Sequence, residues 1–144
     1  MPRIEWQRGA SAEANAAAQL PGAAAVFFER AAESISSGSL HELRLRIKRF
    51  RYTLELFRDC YGPGIGTRIE VLRRVQQLLG EMTDCATVAG MLSPGESPAF
   101  RRFLRVREKR KEAAFHALWR KTLGRPGEQK RWAEYLRRYA RPPR

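Results

Sequence analysis

Cysteine, strand-forming residues and long apolar runs are all scarce in this sequence, and each scarcity removes a class of protein. The two cysteines, Cys60 and Cys85, have no His or Cys near them at ligand spacing, which argues against a disulfide scaffold and a zinc site. No apolar run approaches the roughly eighteen residues of a membrane-spanning helix, so no membrane partner is expected. The Ala-rich opening is broken by Glu, Asn and Gln, unlike a secretory leader, and the expected location is cytoplasmic. Val and Ile are few and do not alternate with polar residues, which removes the strand signal. Phosphate-cradling glycine motifs are missing too: the turn Gly62–Gly66 lacks the Lys-Ser/Thr pair that would follow it. The carboxylates are scattered where metal-assisted phosphate chemistry needs them clustered, and no serine or cysteine stands beside a plausible base. No enzymatic activity, cofactor or metal is therefore expected.

What the chain has in excess is positive charge. Its 144 residues include 28 Lys+Arg against 15 Asp+Glu, a net +13, while 43% hydrophobic content is too much for a disordered basic tail. That length supports one ordinary core, and the charge calls for a polyanionic partner. The excess is uneven. Residues 1–38 carry net −1, 39–58 carry +4, 59–99 carry −2, and 100–144 carry +12.

Helical periodicity is strong throughout, and the spacing predicts an all-α antiparallel bundle of four to five helices. Residues 1–20 read as a loosely ordered lead-in with a short helix near Ala12–Gln19. Residues 21–124 read as the bundle, and 125–144 as a basic helix and tail. A first helix is expected from Pro21 to Ser36, with Phe27, Phe28, Ala31 and Ile35 buried. Ser39-Leu40-His41-Glu42 has the form of a capping box opening the second helix. Leu40, Leu43, Ile47, Phe50, Leu54, Phe57 and Tyr61 then recur at alternating spacings of three and four, an unbroken apolar stripe. Thr67-Arg68-Ile69-Glu70 has the same form and predicts the start of a third helix, with Leu72, Val75, Leu79, Met82, Ala86 and Ala89 as its stripe. Ser97-Pro98 predicts the start of a fourth helix running to Leu123, and a short fifth is expected over Glu128–Tyr139.

On a wheel of about 100° per residue, the stripe of the second helix lies between about 260° and 360°. His41, Arg44, Lys48, Arg51 and Glu55 lie between about 20° and 100°, and Leu45, Tyr52 and Leu56 border them on the far side. A merely solvated face would lie opposite the core, where Glu42 and Arg49 are. The row from His41 to Arg51 spans roughly 15 Å, which suits a linear polyanion better than one small anion. On the fourth helix, Arg107 and Lys111 fall on the same wheel position as Phe100, Leu104, Ala114, Phe115 and Leu118, with Arg110 beside Phe103. Cations there imply a wet cavity, an anion site, or a helix leaving the core. The competing reading of the second-helix row is snorkelling side chains neutralised by Glu55, Glu81 or Asp84.

The segment from His41 through Arg44, Lys48-Arg49 and Arg51-Tyr52 to Glu55 and Phe57 resembles the signature helix of CHAD domains, the conserved histidine α-helical domains. Val75-Gln76, Leu79-Gly80 and Asp84 are similar to a second run of that family, and Phe103–Trp119 resembles its closing helix, so that the likeness covers about residues 21–124. The resemblance implies an all-helical fold that binds inorganic polyphosphate through a basic surface, with association with polyphosphate granules. His41, Arg44, Lys48, Arg49 and Arg51 match motif positions and are the polyphosphate-binding residues it implies. Arg107 and Lys111 join them on the wheel argument. A CHAD domain usually holds two such repeats, and no second His-x-x-Arg segment occurs: His116 is followed by Trp119 at that spacing. The chain thus resembles one half, the C-terminal one, and a homodimer with twofold symmetry is expected to restore the missing repeat. The alternative is a nucleic-acid-binding basic bundle, for which Trp132, Tyr135 and Tyr139 are the available stacking residues. A scaffold bundle, the third option, leaves the inward cations without a role.

Overall fold

The computed structural model describes residues 4–141 and contains five α-helices: α1 (Ala12–Ser37), α2 (Leu40–Leu56), α3 (Pro63–Met91), α4 (Pro98–Lys121) and α5 (Glu128–Arg138). A single 3-10 turn, Arg58–Cys60, lies between α2 and α3. Short connections fold each helix back on its predecessor, so that α4 rests on α3, α3 on α2, α2 on α1, and α5 returns to α1. No strand occurs among the described residues, and no helix there is long and apolar enough to cross a membrane.

The first helix starts at Ala12, well before Pro21. Ser11 accepts a hydrogen bond from the Ala14 amide at 3.1 Å and caps it, so the short helix expected near Ala12–Gln19 and the one expected from Pro21 form one continuous helix. Proline inside a helix removes one hydrogen bond. Here the buried face of Ala16, Leu20, Ala23, Ala24, Phe27 and Ala31 runs through it, and that burial outweighs the loss. The residues just before α1 are held in place. Asn15 is buried and receives the Gln7 amide at 2.8 Å, while its own amide donates to Ser11 O at 2.9 Å. Trp6 stacks on Phe57 at 6.2 Å. At the other end, Gly38 adopts φ 73°, and the amides of Gly38 and Ser39 close onto Ile35 O and Ser34 O in a Schellman motif.

Neither capping box forms. Ser39 makes no side-chain cap bond and instead accepts from the Ser37 hydroxyl at 3.0 Å. Helix α3 begins at Pro63 with Gly62 before it, which leaves Thr67 and Glu70 inside the helix. Ile65 and Ile69, both buried, extend the α3 stripe backwards and pull the glycine-rich turn into the helix. Gly64 is needed there, because a Cβ would lie 2.9 Å from the Tyr135 hydroxyl. Ser97 does not cap α4 either. It sits at φ 42°, and the turn before it is tied by Glu96 to the Ser93 amide at 2.8 Å and by Arg101 to Ser93 O at 2.9 Å.

The core joins α1, α2 and α5 through aromatic rings. Phe27 stacks on Phe50 at 4.5 Å, and Trp132 meets Phe28 edge-on at 5.6 Å and Phe50 at 5.9 Å. Tyr61 donates its buried hydroxyl to Leu136 O at 2.7 Å, pinning the end of α5, and burial pushes that phenol far above its ordinary pKa. Cys60 and Cys85 are buried and unpaired. On α4 only Leu104 and Phe115 are buried; Phe100 and Ala114 are exposed. The reason is that α4 has one main neighbour, α3, so only a narrow strip is covered.

Candidate functional site

Burial of Leu43, Ile47, Phe50 and Leu54 sets the rotation of α2, and that rotation aims the basic row at the outer edge of α3. His41 and Lys48 are exposed, whereas Arg44 and Arg51 are half-buried against α3. Arg51 donates from Nε to Gln76 Oε1 at 3.0 Å and from Nη1 to Glu55 Oε1 at 3.1 Å. Glu55 also pairs with Arg73 at 3.3 Å. The Arg44 guanidinium lies over Gly80, where a Cβ would be 3.4 Å from Nη2. That is an ordinary van der Waals distance, so the guanidinium rests against α3 at this step. Tyr52 stands beside the row, with Lys48 Nζ 5.8 Å and Arg51 Cζ 4.8 Å from its ring centre. Such contacts contribute about 0.5–1 kcal/mol at exposed sites.

From the opposite side, Lys111 of α4 reaches Glu81 Oε2 at 2.6 Å. The hydrogen bond from Lys111 holds the Glu81 carboxyl below the usual carboxylate range, against a smaller upward push from burial; Gln77 and the nearby Arg107 add to the lowering. Gly80 and Glu81 are adjacent on α3, so one step of that helix receives Arg44 from α2 and Lys111 from α4. The two cationic segments of the sequence, separated by a mildly acidic stretch, meet across α3.

The predicted residues fall into three groups. His41, Arg44 and Lys48 share one edge and have no ion-pair or side-chain hydrogen-bond partner among the described residues. Arg51 and Lys111 are in the same region but already paired: Glu55 neutralises Arg51 as the competing reading of the row anticipates, whereas Glu81 pairs with Lys111 of α4 and with no member of the row. Arg49 stands apart: it is exposed, and one position on from Lys48 turns it about 100° away from the row. Arg107 is exposed rather than sealed into the core, which is the solvated outcome for mid-α4, yet it lies close enough to act on Glu81. Sequence reasoning treated Tyr52 as an apolar border and overlooked its ring as a platform for two cations. The spacing Lys48–Tyr52, four apart, was the available signal. Of the stacking candidates near the tail, Trp132 is buried and Tyr135 is half-buried, stacked against Tyr61 and Tyr139 with the Arg68 guanidinium 3.7 Å from its ring centre, while Tyr139 is 52% exposed.

A family model described as the CHAD domain matches residues 5–93. The match takes in the segment before Pro21 and ends ahead of α4, so the similarity of Phe103–Trp119 to a closing helix is not carried by it. No curated protein and no solved structure matches the chain.

Removing the acid that occupies this surface has a definite expected consequence. Glu81→Gln frees Lys111 and deletes a negative charge from between the cations. Affinity for a polyanion is expected to rise by severalfold, as the loss of one surface-pair charge implies. Isothermal titration of both proteins at the same salt reads this directly, and weaker binding by the variant would mean that Glu81 organises the surface rather than opposing the ligand.

Proposed function

Because the chain belongs to the CHAD domain family, as a half-domain member, we propose that it binds inorganic polyphosphate, without altering it chemically, along the cationic surface where α2 and α4 flank α3. CHAD domains are in general associated with polyphosphate binding. The observation that carries the reading is the unpaired row of His41, Arg44 and Lys48. Its heads have no acid to neutralise them among the described residues, and they stand at helical spacing along a line. A chain of phosphates offers charge at every step of such a line, and Arg donors match its oxygens in pairs. Arg51 and Lys111, already paired, shape the edges of the surface. Tyr52 stiffens it.

In this reading a second copy, related by a twofold axis, supplies the repeat that the half-domain lacks, and the protein associates with polyphosphate granules. The test is a titration with polyphosphates of increasing length, duplex DNA and single-stranded RNA at matched phosphate concentration and physiological salt. Affinity is expected to rise with polyphosphate length, to fall with salt through counterion release, and to exceed that for either nucleic acid. Equal binding of all three ligands would reduce the surface to a general polyanion attractor, and tighter binding of RNA would favour a nucleic-acid role. Sedimentation of the same samples reports the dimer; monomeric mass at micromolar protein, with and without polyphosphate, would remove the second copy.

A further inference from the structure

Helix α4 carries a second apolar face, and no other part of the described chain covers it. Leu104 and Phe115 turn toward the bundle, whereas Phe103 is 58% exposed and Val106 45% exposed on the other side. Ala99, Phe103, Val106 and Arg110 line a shallow groove of about 630 Å³ along the helix. Their spacing is four, three and four, the seam by which one helix packs on another. Phe100, beside the groove and also exposed, stacks on Phe103 at 6.2 Å and widens the apolar area. The groove lies wholly beyond the residues that match the family model.

The flanks of the seam are cationic. Arg102, Arg107 and Lys109 occupy the positions on either side of it, are exposed, and have no ion-pair partner among the described residues. A second copy packed on this face would set cation against cation, each against its own equivalent if parallel and Arg102 near Lys111 if antiparallel, which disfavours self-pairing. A lipid surface would take up Phe103 and Val106 and seat Arg110 by snorkelling, but it makes no use of the four-three-four spacing, which matches a facing helix. A helix with acids at its flanks and one acid facing Arg110 satisfies every position, since a single polar pair in such a seam also fixes register. We propose that the Ala99–Ala114 face of α4 docks an amphipathic helix of another protein, one whose apolar stripe is bordered by Asp and Glu.

The probe is a labelled three-heptad peptide with Leu at the seam positions and Glu beside them, followed by fluorescence anisotropy without polyphosphate, so that this inference and the polyphosphate reading fail separately. A scrambled peptide of identical composition controls for the protein's net charge. The patterned peptide is expected to bind at least about tenfold tighter than the scramble, a difference of one decade in Kd. Phe103→Ser/Val106→Ser is expected to abolish that advantage with an unchanged circular dichroism spectrum, because both side chains are exposed. Arg102→Glu/Arg110→Glu is expected to shift preference to a Lys-flanked version of the peptide. Equal binding of patterned and scrambled peptides overturns the proposal. So does Phe103-dependent binding to phosphatidylserine vesicles without peptide discrimination, or Phe103-dependent self-association in sedimentation.

Discussion

Arg44→Ala/Lys48→Ala is expected to weaken polyphosphate binding by roughly tenfold to a hundredfold at physiological salt, the loss of two charge-assisted contacts. Neither residue has an ion-pair or hydrogen-bond partner to leave stranded among the described residues, and only the weak Lys48–Tyr52 contact is lost, so the fold should be little affected and nearly the whole effect should appear in binding. The slope of log affinity against log salt should also fall, by about 1.4 if each cation releases one counterion from a flexible chain. The comparison variant is Arg137→Ala/Arg138→Ala at the end of α5. It removes the same formal charge, but both side chains are exposed and Arg138 is paired with Glu134 at 2.9 Å. Its effect should be confined to a weaker, salt-sensitive attraction. Unchanged affinity in the α2 pair together with lost binding in the α5 pair would place the ligand on the tail and end the α2 reading.

Phe50→Ala has the largest expected effect on stability, a loss of about 3–5 kcal/mol. Its ring is fully buried, stacks on Phe27 and touches Trp132, so truncation opens a cavity where α1, α2 and α5 meet. Urea unfolding should show a lower midpoint with an unchanged slope. A loss under about 1 kcal/mol would mean that the site collapses around the smaller side chain and that the stack is not what holds the three helices together. The same variant bears on binding. Phe50 lies between Arg49 and Arg51, and its burial helps set the rotation that aims the basic row; the residual folded protein should therefore bind more weakly than its concentration predicts.

Much of this was legible in the residues. The stripe from Leu43 to Tyr61 is buried as its spacing predicts, and the row from His41 to Arg51 lies beside it, because both follow from the helical repeat alone. Element boundaries were less legible. Ser39 and Thr67 have the residues of capping boxes without the geometry, and Pro21 sits within α1. For Pro21 and Thr67 a few more buried side chains on the same face, Leu20 in one case and Ile65 and Ile69 in the other, outweigh a local signal worth about 1 kcal/mol; Ser39 still precedes α2 and lacks only the cap bond. The α4 wheel placed Phe100, Arg107 and Ala114 with the core, and all three are exposed. A wheel states which residues share a face but not how wide a face the neighbours cover.

Local periodicity determined that the chain is helical, which side of α2 is apolar, and that cations line up beside that side. Tertiary packing decided which of those cations are free. Arg51 is tied by Gln76 and Glu55, Lys111 by Glu81, and Arg44 lies unpaired over Gly80. Gln76 and Glu81 belong to α3 and come within reach only when α2 and α4 settle on it, whereas Glu55 is the i,i+4 neighbour of Arg51 within α2. The net +13 of the sequence is a sum, whereas pairing depends on distance and falls off within a few ångströms at a solvated surface. Charge could therefore be counted from composition, but only the fold could show where it remains unspent.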